Sequence, residues 1–294
     1  MKDKPFIFRD TQVKAYKYGD TVEMTTSHGK HSNPIRKLNS DEFLDLRTGE
    51  IRLYNKKSVN RSDNLKAVKR TFVRLRRLIG NNFFGGSTEL WVTLTYRENM
   101  TNPETAYEDF RSFMKALRSK YPNILYISVI EPQARGSWHY HVLLKNDTPI
   151  FIENEYIAKI WKKGFTRTKR IKSSDKLGNY LTAYLTNLDL NEIDSDLTET
   201  NKSIVKGARL HLYPKGIRIY RKSIELKHPE TITAKKDTVL KKFNIQNKDS
   251  DFSTKSTHKM PIGEITYITE FYDNISDFEQ KKDANEPASF DIIS

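Results

Sequence analysis

The sequence predicts an α+β fold in which helices pack on a central antiparallel sheet. Three observations predict it. Between residues 90 and 190 the hydrophobic patterning runs in the order β-α-β-β-α-β-α. The strand segments of that stretch are rich in β-branched and aromatic residues, as in LWVTLTY at Leu90 to Tyr96. A short turn around Gln133 to Gly136 joins two of the strands into a hairpin. Strands of this kind with helices on one face form a two-layer sandwich.

The elements follow in order. Residues 1 to 55 read as β-rich, with a hairpin of Lys14 to Tyr18 and Thr21 to Thr25 about Gly19-Asp20. Residues 62 to 79 read as a helix, because Leu65, Val68, Phe72, Leu75 and Ile79 recur at spacings of three and four. Ser62 or Asp63 suits its start and Gly80 its stop. Leu90 to Tyr96 is a buried strand. Asn102-Pro103-Glu104 opens the next helix, with Pro in its first turn and Ala106, Phe110, Phe113 or Met114, and Leu117 on its core face. Tyr121-Pro122 ends it. Ile124 to Glu131 and Trp138 to Lys145 are the hairpin strands, Ile152 to Lys162 a short helix stopped by Gly164, and Phe165 to Ile171 a strand. Asp175 to Leu188 reads as a helix, and Arg209 to Tyr213 with Ile217 to Arg221 as a late hairpin. The expected domains are a β-rich extension over 1–58, a catalytic domain over 59–225, and a polar, acidic and partly disordered tail over 226–294.

Composition narrows the function. At 294 residues the chain is long enough for a substantial core, with 36% hydrophobic and 30% charged residues. No apolar run approaches the roughly 18 residues of a membrane span. The start, MKDKPFIFRD, predicts no signal peptide. The absence of cysteine excludes disulfides and thiolate-ligated metals. These readings predict an intracellular protein without a membrane partner. The net charge is +14, yet residues 246 to 294 carry five Lys against ten acids, so the basic excess lies before residue 246. A basic body with an acidic tail suits nucleic acid, because cations displace phosphate counterions. Lys66, Lys69, Arg70, Arg74, Arg76 and Arg77 cover the outer faces of the first helix with almost no balancing acid. They form a candidate phosphate-backbone surface, joined by Arg135 in the hairpin turn.

Three features carry chemistry. His139-Tyr140-His141 lies on a strand, and alternation sends both imidazoles to one face. Alone, the pattern is unspecific. Glu131 ends the preceding strand of the same hairpin, which brings a carboxylate near the pair. Two imidazoles and a carboxylate make half an octahedral shell with open positions. Tyr180 and Tyr184 are spaced i,i+4, on one face of the helix over 175–188. There is no G-x-x-x-x-G-K-[ST] phosphate loop, and Gly85-Gly86 reads as a flexible loop. His28, His31 and His211 read as surface or structural residues.

Taken together, LWVTLTY, EPQARGSWHYHVLL and GNYLTAYLTN resemble the three motifs of the HUH superfamily of rolling-circle replication initiators. The resemblance is to the phage gene II and replication-associated protein family, also carried on plasmids of Gram-positive bacteria. It covers roughly residues 60 to 222 and includes the basic helix and KGARLHLYPKGIRIYRKS. It implies a ferredoxin-like HUH endonuclease sandwich. It implies His139 and His141 as metal ligands, with Glu131 as the third, holding Mg²⁺ or Mn²⁺. Tyr180 and Tyr184 match the family's nucleophiles. The implied activity is site-specific nicking and rejoining of single-stranded origin DNA through a 5′-phosphotyrosine, in the bacterial cytoplasm, with a host helicase and polymerase as partners.

The chain departs from the family pattern at one place. The family carries Lys three residues after each tyrosine, where this chain has Ala183 and Asn187. Lys176, four residues before Tyr180, is the candidate substitute. Two other readings stay open. A relaxase or single-strand transposase would use the same site, although relaxases place the tyrosine before the histidines and such transposases are shorter with one tyrosine. A silent nucleic-acid-binding protein would have kept the fold without the chemistry.

Overall fold

The computed structural model describes residues 4–29, 35–54, 59–61, 65–172, 209–260 and 263–276. In chain order the elements begin with β1 (Gln12–Tyr18), β2 (Thr21–Gly29), β3 (Ile35–Lys37), β4 (Glu42–Asp45), β5 (Ile51–Leu53) and α1 (Leu65–Asn82). Next come β6 (Glu89–Thr95), α2 (Pro103–Lys120), β7 (Leu125–Pro132), β8 (Trp138–Lys145), α3 (Asn154–Trp161) and β9 (Thr166–Arg170). Last are β10 (Tyr220–Lys222), β11 (Glu230–Lys235), α4 (Lys236–Lys242), β12 (Phe252–Met260) and β13 (Gly263–Tyr272). The fold is α+β with antiparallel sheets, as expected. The chain divides into two compact units: Asn55–His228, and a second that joins Met1–Tyr54 to Pro229–Ser294.

The Asn55–His228 unit is built on a sheet of order β10-β7-β8-β6-β9. Its run β6-α2-β7-β8-α3-β9 is a β-α-β-β-α-β motif, and the strands within it lie in the order two, three, one, four, the ferredoxin-like arrangement. Asn102 caps α2 by accepting from Glu104 N at 2.9 Å and Thr105 N at 3.3 Å, and Pro103 fills the first turn. Phe110, Phe113, Met114 and Leu117 of α2 and Ile157 and Trp161 of α3 enter one core with Val92, Leu94, Tyr140 and Val142. Phe110 stacks on Tyr140 at 4.7 Å, which fixes the even-numbered side of central β8 as the helix-covered side.

Two boundaries differ from the sequence reading. Helix α1 runs past Gly80 to Asn82, because the Phe83 amide still reaches Ile79 O at 2.9 Å and Asn82 Nδ2 donates to Leu78 O at 2.8 Å. Gly164 does not end α3, since Lys162 takes the left-handed cap. The glycine serves instead as a close approach: a Cβ there would lie 2.4 Å from both Thr95 O and Arg97 N. The expected late hairpin is also corrected. Leu210–Leu212 is one turn of 3-10 helix, and β10 pairs with β7 rather than with the segment before it. The helix read over 175–188, with Lys176, Tyr180 and Tyr184, lies outside the described residues.

The other unit holds the expected hairpin, with Tyr18 opposite Thr21, inside a sheet of order β11-β1-β2-β13-β12. The sequence reading gives 226–294 as a polar tail. Between Pro229 and Ser276 the structure instead has three strands and α4, paired through β1 and β2 to the start of the chain. The misreading has a physical cause. Strands β11 to β13 bury few side chains and look polar in sequence, whereas their partners lie more than 200 residues away. A buried ion pair ties the two ends: Lys236 Nζ lies 2.7 Å from Glu270 Oε2 and donates to Ile7 O at 2.8 Å. Glu270 also accepts from Ile7 N at 2.7 Å and Tyr272 OH at 2.9 Å.

Lys236→Met leaves the Glu270 carboxylate buried without its cation, and about 3 kcal/mol of unfolding free energy should be lost in urea titration. Gly164→Ala should cost about 1–3 kcal/mol, because backbone rather than a side chain must give way. Unchanged unfolding midpoints would refute either account.

Candidate active site

Strand register assembles the site. In the β7–β8 hairpin Glu131 stands directly opposite His139, and Val129 opposite His141. Glu131, His139 and His141 therefore share one side of the sheet, and Tyr140 between them faces the helices. The hairpin turn is closed by Gln133 N to Ser137 O and Gly136 N to Gln133 O, both 2.8 Å, with Gly136 at φ +85°. Had the turn been one residue longer on one side, the carboxylate and the imidazoles would fall on opposite faces.

The three side chains converge. Glu131 Oε2 lies 3.2 Å from His139 Nε2 and 3.4 Å from His141 Nε2, and the two nitrogens lie 3.0 Å apart. All three residues are buried. His139 Nδ1 is buried without a hydrogen-bond partner among the described residues. Burial pushes Glu131 toward the neutral acid, but hydrogen bonds and charge from His139 and His141 outweigh it and hold the carboxyl below its usual range. Burial lowers His141, so near neutral pH a neutral imidazole faces an anion. Two imidazole nitrogens and one anionic oxygen within 4.8 Å of one another fit a divalent cation by donor type and convergence.

Neighbours that sequence reading missed shape the group. Arg209 Nη1 lies 3.6 Å from Glu131 Oε1 and donates to Pro132 O at 3.0 Å, so it holds the carboxylate through the oxygen that the histidines leave free. Its backbone is left-handed at φ 41°, an unusual state for arginine. Trp91 meets His141 edge-to-face at 5.6 Å. Cross-strand partners cannot be located from spacing alone, although Trp91 stood inside the LWVTLTY motif. Tyr213 lies close by, but its hydroxyl donates to Ile130 O at 2.9 Å and burial keeps its proton on, so it serves the structure.

The expected nucleic-acid contacts divide. Arg70 and Arg74 are exposed on α1, and Lys69 and Arg77 are half-buried there. Lys66 lies in the first turn of the same helix. Arg135 donates to Tyr96 O at 2.8 Å and so ties the hairpin turn to the end of β6. Gly85 N and Phe84 N donate to the Glu89 carboxylate at 2.7 and 3.3 Å, so these loop amides are already occupied by an anion of the chain itself. No helix among the described residues is long and apolar enough to cross a membrane.

Comparison with known proteins agrees with this geometry. Residues 89–189 match the sequence model of a family of replication-associated proteins, the ORF2 and gene II protein family. The Phasyl DNA replicon protein arp of Escherichia coli is 28% identical over 127 residues, which cover 35% of this chain and 44% of that protein. The chain thus spans less than half the length of this curated relative. No solved structure matches the chain.

Two measurements bear on the site. Mn²⁺ should raise the melting temperature of the wild type, and His139→Ala or His141→Ala should abolish that rise, since binding only the folded state stabilises it. In metal-free protein His141 has a folded pKa below its unfolded value of about 6.5. Its contribution to stability is then complete above about pH 6.5 and is lost as pH falls through the folded value. His141→Gln should flatten the dependence of stability on pH in that window. A pH profile identical to wild type would refute it.

Proposed function

We propose that this protein is a rolling-circle replication initiator that nicks single-stranded origin DNA with a tyrosine nucleophile and later rejoins it. The observation that carries the reading is the buried Glu131–His139–His141 group on a ferredoxin-like sheet. It lies within the stretch that resembles replication-associated proteins. The nuclease domain is assigned to residues 59–225. The partners are the origin strand, a host helicase and a host polymerase in the bacterial cytoplasm.

Glu131, His139 and His141 would hold Mg²⁺ or Mn²⁺, which when bound supplies Lewis-acid polarisation of a phosphate oxygen. The chain's own groups do the rest. Arg209 and the two histidines keep Glu131 ionised and oriented. The phenol of Tyr180 or Tyr184 attacks the scissile phosphorus in line. One P–O bond forms to the phenol oxygen, and the bond to the 3′-oxygen breaks. The phenol loses its proton, and the departing 3′-oxygen gains one. The reaction is a transesterification with no net hydrolysis, so the phosphotyrosine keeps the bond energy for rejoining. A free phenol has a pKa of about 10. It therefore needs a nearby cation, and Lys176 is assigned that part. The released 3′-OH primes synthesis, and the second tyrosine serves the closing cut.

A catalytically silent DNA-binding protein is the competing reading, and Ala183 and Asn187 in place of the family's lysines favour it. One experiment separates the two. The protein is mixed with labelled single-stranded circles of its own replicon and Mn²⁺, then run on a denaturing gel. A protease-sensitive adduct is expected, lost with EDTA, with Glu131→Gln, and with Tyr180→Phe or Tyr184→Phe. Lys176→Ala should slow its formation at least tenfold. DNA binding that depends on salt but yields no adduct would support the silent protein instead.

A further inference from the structure

The side of the sheet that carries the histidines continues past β8 onto β6 and β9. Register places three rows across it. His139 faces Thr95, and Thr95 N bonds Phe165 O at 2.9 Å, so the first row reaches Phe165. His141 faces Thr93, which faces Arg167. Leu143 faces Trp91, which faces Lys169. Residues in register across strands point to one face. Arg167 is thus two strand spacings, about 10 Å, from His141.

The side chains along these rows differ from those on the other face of β9. Thr93 and Thr95 are half-buried, Arg167 and Lys169 are exposed, and Phe165 is 65% exposed. Lys169 Nζ sits 4.6 Å from the Trp91 ring centroid, and Trp91 in turn meets His141. On the opposite face, Thr166 and Thr168 donate to Asn154 Oδ1 and secure α3. Cations on an edge strand have an ordinary explanation, since they discourage edge-to-edge pairing. An exposed phenylalanine beside them has the opposite effect and needs another. Aromatic rings interleaved with cations are the elements of a single-strand binding track, with bases stacked on rings and phosphates held by charge.

We propose that Phe165, Arg167 and Lys169 form the track that leads single-stranded DNA to the Glu131–His139–His141 group. Phe165 stacks on an unpaired base, and Arg167 and Lys169 hold the phosphates beside it. Duplex DNA is a poor occupant, because paired bases offer no free face to Phe165. The inference deepens the proposed function and rests on it only in taking DNA as the substrate.

The test uses the full chain and a labelled oligothymidylate, with fluorescence anisotropy as the readout. Phe165→Ala should weaken binding about tenfold, and Phe165→Trp should preserve it. Arg167→Ala and Lys169→Ala should each reduce the slope of log affinity against log salt by about 0.7. Binding to a duplex of equal length should not respond to Phe165→Ala. The Mn²⁺-induced melting shift should stay as in wild type, which shows the triad intact. Wild-type affinity in all three alanine variants, or no oligothymidylate binding by the wild type, would overturn the proposal. Binding that depends on this row without a covalent adduct would leave the track standing and remove the nicking chemistry. An adduct formed at wild-type rate by all three variants would do the reverse.

Discussion

Alternation along β8 is the constraint from which the rest of the catalytic unit follows. Tyr140 must enter the core, where it stacks on Phe110, so His139 and His141 must face the other way. The β7–β8 turn then decides what meets them. Its length puts Glu131 opposite His139 rather than one position along, and a slip of one residue would bury the carboxylate among the aromatic rings of α2 and α3. Packing on one face and chemistry on the other are therefore a single requirement, met by the same register.

Buried charge is managed in a consistent way in both units. Glu131 is surrounded by two imidazoles and Arg209. Glu89 is held by Lys145 at 3.3 Å and by the loop amides of Phe84 and Gly85. Glu270 is held by Lys236, Tyr272 and the Ile7 amide. A buried carboxylate without such partners would take up a proton. The three sites differ in what surrounds the anion. Glu89 and Glu270 are satisfied by ammonium groups and backbone amides. Glu131 is faced by two nitrogen donors that converge on the same oxygen, an arrangement that a small cation completes. That difference marks Glu131 as chemical rather than structural.

The two faces of the catalytic sheet are lined by different chemistry. Helices α2 and α3 bring Phe110, Phe113 and Trp161 to the Tyr140 side. On the histidine side, the hydroxyls of Thr93 and Thr95 and the cations of β9 lie beside the Glu131–His139–His141 group in register. A polar, cationic floor of that kind favours an anionic polymer over a small apolar ligand.

By itself the sequence determined the local elements and the chemical inventory. The Asn102-Pro103 start of α2, the apolar stripe of α1, the hairpin strands and the Glu131, His139 and His141 set were legible, because each rests on spacing within a few residues. Only the tertiary structure decided what depends on distant chain meeting. The pairing of β11 to β13 with the N-terminal hairpin, the Lys236–Glu270 ion pair, the hold of Arg209 on Glu131, and the alignment of Phe165 and Arg167 with the histidines all join residues far apart in sequence. Periodicity reports which side of an element is buried. It cannot report which remote strand lies alongside, since that choice is made by summed packing and hydrogen bonding across the whole sheet.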